Sequence, residues 1–188
     1  MRLIKALLLI TCVILLAGCW TLSLHPLYTD QDLVFDPQLV GAWGDTTKSH
    51  DDTWIFQQGE NKTYRLLTKE ENEPDGLFAA HLVQLGEHRF LDIFPEEPAR
   101  ENEFFRSHLI PAHTFWKINI EGHVMTLSPF NNEWLNEGLE NKTINLAHIR
   151  EDEVIIFTAS TAELQEFILQ HVDVAFEDDP FVLYHKKW

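Results

Sequence analysis

Trp116-Lys117-Ile118-Asn119-Ile120-Glu121-Gly122-His123-Val124-Met125-Thr126-Leu127 is the stretch that decides the fold. Its first half alternates, with Trp116, Ile118 and Ile120 on one face of a strand and Lys117, Asn119 and Glu121 on the other. Glu121-Gly122 then leads into a second run as a short hairpin. One polar and one apolar face on consecutive strands is the pattern of an antiparallel sheet packed on a core.

Outward from this hairpin the same texture repeats. Runs rich in β-branched and aromatic residues occupy 39–43, 53–57, 63–68, 77–85, 89–94, 114–120, 123–127, 143–149, 154–159 and 181–186. Turn residues separate them at intervals of roughly ten, as in all-β barrels and sandwiches. Val154-Ile155-Ile156-Phe157 is apolar on both faces, so that strand needs sheet on one side and helix on the other. The fold class expected is mainly β, an antiparallel barrel with one amphipathic helix near the C-terminus.

That helix is announced by Ser160-Thr161-Ala162-Glu163, which has the spacing of a capping box. Leu164, Phe167, Ile168, His171 and Val172 follow on one stripe, with His171 a core or boundary residue. A shorter helix is predicted over 132–137, ending at Gly138. Acidic stretches 69–75 and 95–103 read as solvated loops. Phe104-Phe105, after the second, read as packing on the barrel rim, with a ligand lid as the alternative. Glu60-Asn61-Lys62-Thr63 and Glu140-Asn141-Lys142-Thr143 repeat one tetrapeptide, read as recurrent turn chemistry.

Residues 20–36 lack any sustained period and contain Pro26, with Pro37 just beyond, so 19–38 is expected to be a tether and 39–188 a single barrel-like domain. Before it, Met1-Arg2-Leu3-Ile4-Lys5 is basic, 6–16 is apolar apart from Thr11 and Cys12, and Leu16-Ala17-Gly18-Cys19 closes the segment. A basic start, an apolar core and small residues before a cut site make a secretory signal over 1–18. Two readings of the residues follow, Cys19 as an ordinary residue after an ordinary signal or an uncleaved anchor over 6–24. Both export the domain.

The chain carries −16; without Arg2 and Lys5 the remainder has 12 basic against 30 acidic residues, or −18. A polyanion lacks the cationic face that nucleic acid requires. It is also repelled by anionic head groups, so membrane attachment does not rest on the charge of the protein surface. Cys12 and Cys19 are the two cysteines. With Cys12 removed, Cys19 has no second thiol to pair with, and stability must come from a core burying roughly 70% of the unfolded surface.

The Leu16-Ala17-Gly18-Cys19 ending resembles the lipobox of bacterial lipoproteins. That resemblance makes Cys19 the lipid attachment site and the first mature residue. Residues 24–44, Leu-His-Pro-Leu-Tyr-Thr-Asp-Gln-Asp-Leu-Val-Phe-Asp-Pro-Gln-Leu-Val-Gly-Ala-Trp-Gly, resemble the start of a family of uncharacterised bacterial lipoproteins. Residues 156–165 resemble a later segment of that family. It implies a lipid-anchored envelope protein and assigns no activity. Trp20 after the cysteine implies the outer membrane, periplasmic side, in a Gram-negative host. A broader resemblance is to lipocalins: Gly41-Ala42-Trp43 is similar to their Gly-x-Trp motif, and a late helix precedes the last strand. The chain departs from them in lacking a midway Thr-Asp-Tyr motif and in placing Lys186 and Lys187 where lipocalins set an arginine against the tryptophan.

Chemistry is harder to find. Beyond Cys19 the mature chain has no cysteine for thiol catalysis, and no Gly-x-Ser-x-Gly elbow or phosphate loop occurs. Ten histidines raise the question of metal, but His108 and His113 fall on opposite faces of a strand and no His-Glu-x-x-His exists. The histidines therefore read as scattered over the surface, with no catalytic residue, metal site or cofactor expected. Two functions remain. One is a barrel holding an apolar small molecule or lipid, to which the 12% aromatic content inclines. The other is a filled barrel that docks an envelope protein partner.

Overall fold

The computed structural model describes residues 21–45, 52–96, 109–151 and 154–186. Its strands are β1 (Thr21–Ser23), β2 (Leu33–Val34), β3 (Gly41–Gly44), β4 (Thr53–Gln58), β5 (Thr63–Lys69), β6 (Gly76–Leu85), β7 (His88–Pro95), β8 (Thr114–Glu121), β9 (Val124–Ser128), β10 (His148–Glu151), β11 (Val154–Phe157) and β12 (Phe181–His185). The helices are α1 (Asn132–Glu140) and α2 (Thr161–His171).

Eight strands close a barrel in the order β6-β5-β4-β3-β12-β9-β8-β7, with β7 returning to β6, and every pairing is antiparallel. Closure removes the sheet edges that would otherwise pair with other chains. The mainly β antiparallel barrel expected from sequence is the fold observed. The hairpin read from alternation is β8–β9, with Ile118 opposite Leu127 and Ile120 opposite Met125.

The seventh and eighth barrel strands are separated by a layer of α1, β10, β11 and α2. Here β11 pairs antiparallel with β10 and parallel with β1, making a second, three-stranded sheet. The capping box of α2 forms as expected, Ser160 Oγ accepting from Glu163 N while Ser160 N donates to Glu163 Oε2 at 2.8 Å. Hydrogen bonds from the Ser160 side chain and backbone hold the Glu163 carboxyl below its usual range. Two cores result. One fills the barrel; the other lies between the outer wall of β6–β7–β8 and the added layer, and includes Val83, Phe90, Phe115, Ile155, Phe157 and Leu164.

Three local readings need correction. The segment expected to be a tether is folded from residue 21 onward: Leu27 is fully buried, β2 pairs with β6, and Pro37 opens a single 3-10 turn capped by Asp36. Pro37 marks a helical start there, since its fixed φ suits the first position and its missing N–H costs nothing. The strand expected over 143–149 begins only at His148. Thr143 N and Ile144 N both donate to Gly138 O, closing the end of α1 in place of a strand partner. Ile144 and Leu146 alternate because they pack on the helical layer. Finally, α1 runs through Gly138. A Cβ there would lie 2.3 Å from Ile144 Cδ1, so glycine serves close approach, and Lys142 at φ 57° makes the turn. Lys62 of the matching tetrapeptide likewise sits at positive φ, 65°.

Candidate functional site

The inward face of the barrel follows from its register. Trp43, Trp54, Phe56, Tyr64, Leu66, Ala80, Leu82, Leu91, Ile93, Trp116, Ile118, Met125 and Leu127 share one interior. Trp43, Leu66, Ala80, Leu82, Leu91 and Met125 have no accessible surface at all. A void beside them wide enough for water would count as accessible surface, so this part of the lumen is filled by side chains.

One end is closed by the 3-10 turn Pro37–Leu39, whose Leu39 is fully buried and accepts from Trp43 Nε1 at 2.9 Å. His185 sets its ring edge-on to Trp43, centroids 4.9 Å apart. It stands where the lipocalin comparison set Lys186 and Lys187; Lys186 instead reaches Thr53 Oγ1 at 2.6 Å, and Lys187 lies outside the described residues. Gly41 is required beside this pair. Its φ is 138°, and a Cβ would stand 2.4 Å from His185 Nε2.

The other end is an aromatic mouth. Trp54 and Trp116 meet edge to face at 5.9 Å, and Trp116 meets Phe181 at 5.8 Å. Phe181 is 51% exposed while Trp116 is 8% exposed, so the accessible apolar surface here is shallow. Phe104 and Phe105, read as rim or lid, lie outside the described residues, as do His108 and Cys19.

On the outer wall lies a polar cluster that the sequence did not reveal. Asp92 of β7 is fully buried. Its Oδ1 accepts from His113 Nδ1 at 2.6 Å and its Oδ2 from Leu27 N at 2.8 Å. Opposite Asp92 in the sheet stands His81, whose Nε2 bonds the Tyr28 hydroxyl at 3.2 Å while the two rings stack at 4.3 Å. Burial, with Asp92 and then Asp30 adding to it, pushes the Tyr28 pKa up to about 12. His113 also exchanges both backbone hydrogen bonds with Ser23, tying β1 to the start of β8. The cluster thus clamps residues 23–28 onto the barrel. His81 and His113 correct the reading of surface-scattered histidines: both are buried. Only long-range register brings them together, and Asp92 flanked by Leu91 and Ile93 was the available hint.

Burial lowers the pKa of His81 against the opposing pull of Asp92, and its Nδ1 has no hydrogen-bond partner among the described residues. A histidine with a depressed folded pKa favours folding above its unfolded value of about 6.5 and loses that stability as pH falls below it. The melting temperature should therefore drop as pH is lowered from 7 to 5, and His81→Gln should flatten that slope. Parallel slopes in thermal scans of the two proteins would remove His81 from the explanation.

Other surface features are modest. A notch of about 290 Å³ lies between Glu87, His88 and Arg89 on one side and Lys117, Ile118 and Asn119 on the other. Arg89 is engaged there by Asp36 at 2.8 Å. No group of three or more metal-ligating side chains converges among the described residues, and none of their helices is long and apolar enough to cross a membrane. Comparisons with protein-family models, with curated proteins and with solved structures found no match.

Proposed function

We propose that this chain is a lipid-anchored lipoprotein of the bacterial cell envelope whose barrel is a filled scaffold and whose work is done on its outer surface, against a protein partner. The observation that carries the scaffold reading is the set of lumen side chains Trp43, Leu66, Ala80, Leu82, Leu91 and Met125, none of which has accessible surface. The anchor rests on the sequence alone: the basic and apolar residues 1–18 and the Leu-Ala-Gly-Cys ending at Cys19. The acidic surface suits a protein whose membrane affinity comes from its lipid and not from its charge. In a Gram-negative host Trp20 directs it to the outer membrane, on the periplasmic side. No catalytic residue and no cofactor enters this reading.

A second reading keeps an apolar ligand, confined to the mouth. It is favoured by the half-exposed Phe181 beside Trp116. Native mass spectrometry of protein extracted in mild detergent separates the two. The scaffold reading expects a mass beginning at Cys19 with acyl chains, and no small molecule. Co-purified lipid, or fatty-acid uptake that quenches Trp54 and Trp116 fluorescence, would transfer the case to the mouth.

A further inference from the structure

The three-stranded sheet has a buried and an open face. Ile155, Phe157 and Ser23 point inward and are fully buried. Leu22, Ile156 and Ile149 stand on the opposite face, directly side by side across β1, β11 and β10. Ile149 is 54% exposed. Leu24, 38% exposed, follows directly after β1. The antiparallel bridge between Ser23 and His113 brings the segment before β8 alongside, and there Leu109 is 50% and Ile110 78% exposed. Exposed apolar side chains on one sheet face and on the segment leading into β8, in an otherwise strongly acidic protein, mark a contact surface.

The chain itself says what covers it. β1 starts at Thr21, two residues after Cys19. An extended chain spans at most ~3.6 Å per residue, so the Thr21 and Cys19 Cα atoms are within about 7 Å of each other. A lipid on Cys19 cannot hold this domain at a distance. The strand that enters the apolar face is the one that leaves the anchor. Resting on the lipid-anchor reading, we propose that this face, formed by Leu22, Ile156 and Ile149 and bordered by Leu24, Leu109 and Ile110, lies against the bilayer that holds the lipid. The anchor supplies the affinity, and the sheet fixes the orientation: Leu109 and Ile110 enter the interfacial layer as an amphipathic helix would. The barrel wall of β4, β3 and β12 then faces away from the membrane, open to a partner.

The test uses the lipidated full-length product with a single added cysteine. Ile149→Cys, Ile110→Cys and, as a control on the far wall, Gln57→Cys are labelled with an environment-sensitive dye and reconstituted in phosphatidylcholine vesicles containing doxyl-labelled lipid. Acylation blocks Cys19, so one dye per chain is expected. Quenching at 149 and 110 should exceed that at 57 several-fold, with blue-shifted emission at 110. One dye per chain with equal quenching at all three sites overturns the docking and leaves the anchor standing. Two dyes per chain and protein that stays off the vesicles overturn the anchor, and the docking with it. Shielding at 149 that grows with protein density and ignores doxyl lipid assigns the face to a second copy and overturns the proposal.

Discussion

Replacing Asp92 by alanine is expected to destabilise the protein by about 2–6 kcal/mol, about one to three for each of the two donors it leaves unpaired. Those donors are the Leu27 N–H and the His113 Nδ1–H, both in a region sealed from water. Against a total stability of about 5–15 kcal/mol the loss is large. It should be local in origin. The segment from Ser23 to Leu33 is also held by Thr161 Oγ1 donating to Pro26 O, by Gln165 Nε2 donating to Leu27 O, and by β2 on β6. Without Asp92 the amides near Leu27 should exchange hydrogen before the barrel does. Asp92→Asn keeps the shape but turns one oxygen into a donor facing a donor, so it should recover less than half. Urea unfolding of the three proteins checks the magnitude, and hydrogen exchange checks the order. A shift below about 1 kcal/mol for Asp92→Ala would mean that the clamp contributes no more than an ordinary hydrogen bond.

That clamp also shows where sequence reading stops. The β8–β9 hairpin and the helix α2 were legible because alternation, a turn and a capping box act within a dozen residues. The folding of 21–38 was not. Its partners lie far along the chain, Asp92 at a separation of 65 and Gln165 at 138 from Leu27, and two prolines gave it the look of a linker. The histidines failed for a related reason. His81 and Asp92 are neighbours only because β6 and β7 pair in one register, and a slip by one residue would turn both to the other face. The same sensitivity of facing to single positions explains the barrel's closed end, where His185 rather than Lys186 turns inward to Trp43. Trp43 of the Gly-x-Trp stretch is buried there, and the side chain set against it is that of His185. Whether the lumen is hollow was not legible at all, since it depends on how side chains from eight strands sum in volume.

Trp43→Ala tests that sum directly and should cost about 3–5 kcal/mol. The indole is fully buried, donates to Leu39 O, and packs against His185, so its removal opens the floor of the barrel and strands a carbonyl. Trp43→Phe keeps most of the volume and loses the N–H, so it should cost about 1–3 kcal/mol, the penalty of the orphaned acceptor. The alanine variant carries a second expectation. A dry apolar cavity of this kind takes up small apolar molecules, and a ligand that binds only the folded state raises its stability. Indole or benzene should therefore raise the melting temperature of Trp43→Ala in a concentration-dependent way and leave the wild type unmoved. If the wild type is stabilised equally by the same compounds, a cavity already exists in the barrel and the filled-scaffold reading fails. If neither is stabilised and the alanine variant loses less than about 1 kcal/mol, the floor of the barrel relaxes around the missing side chain, and Trp43 is not what keeps the lumen closed.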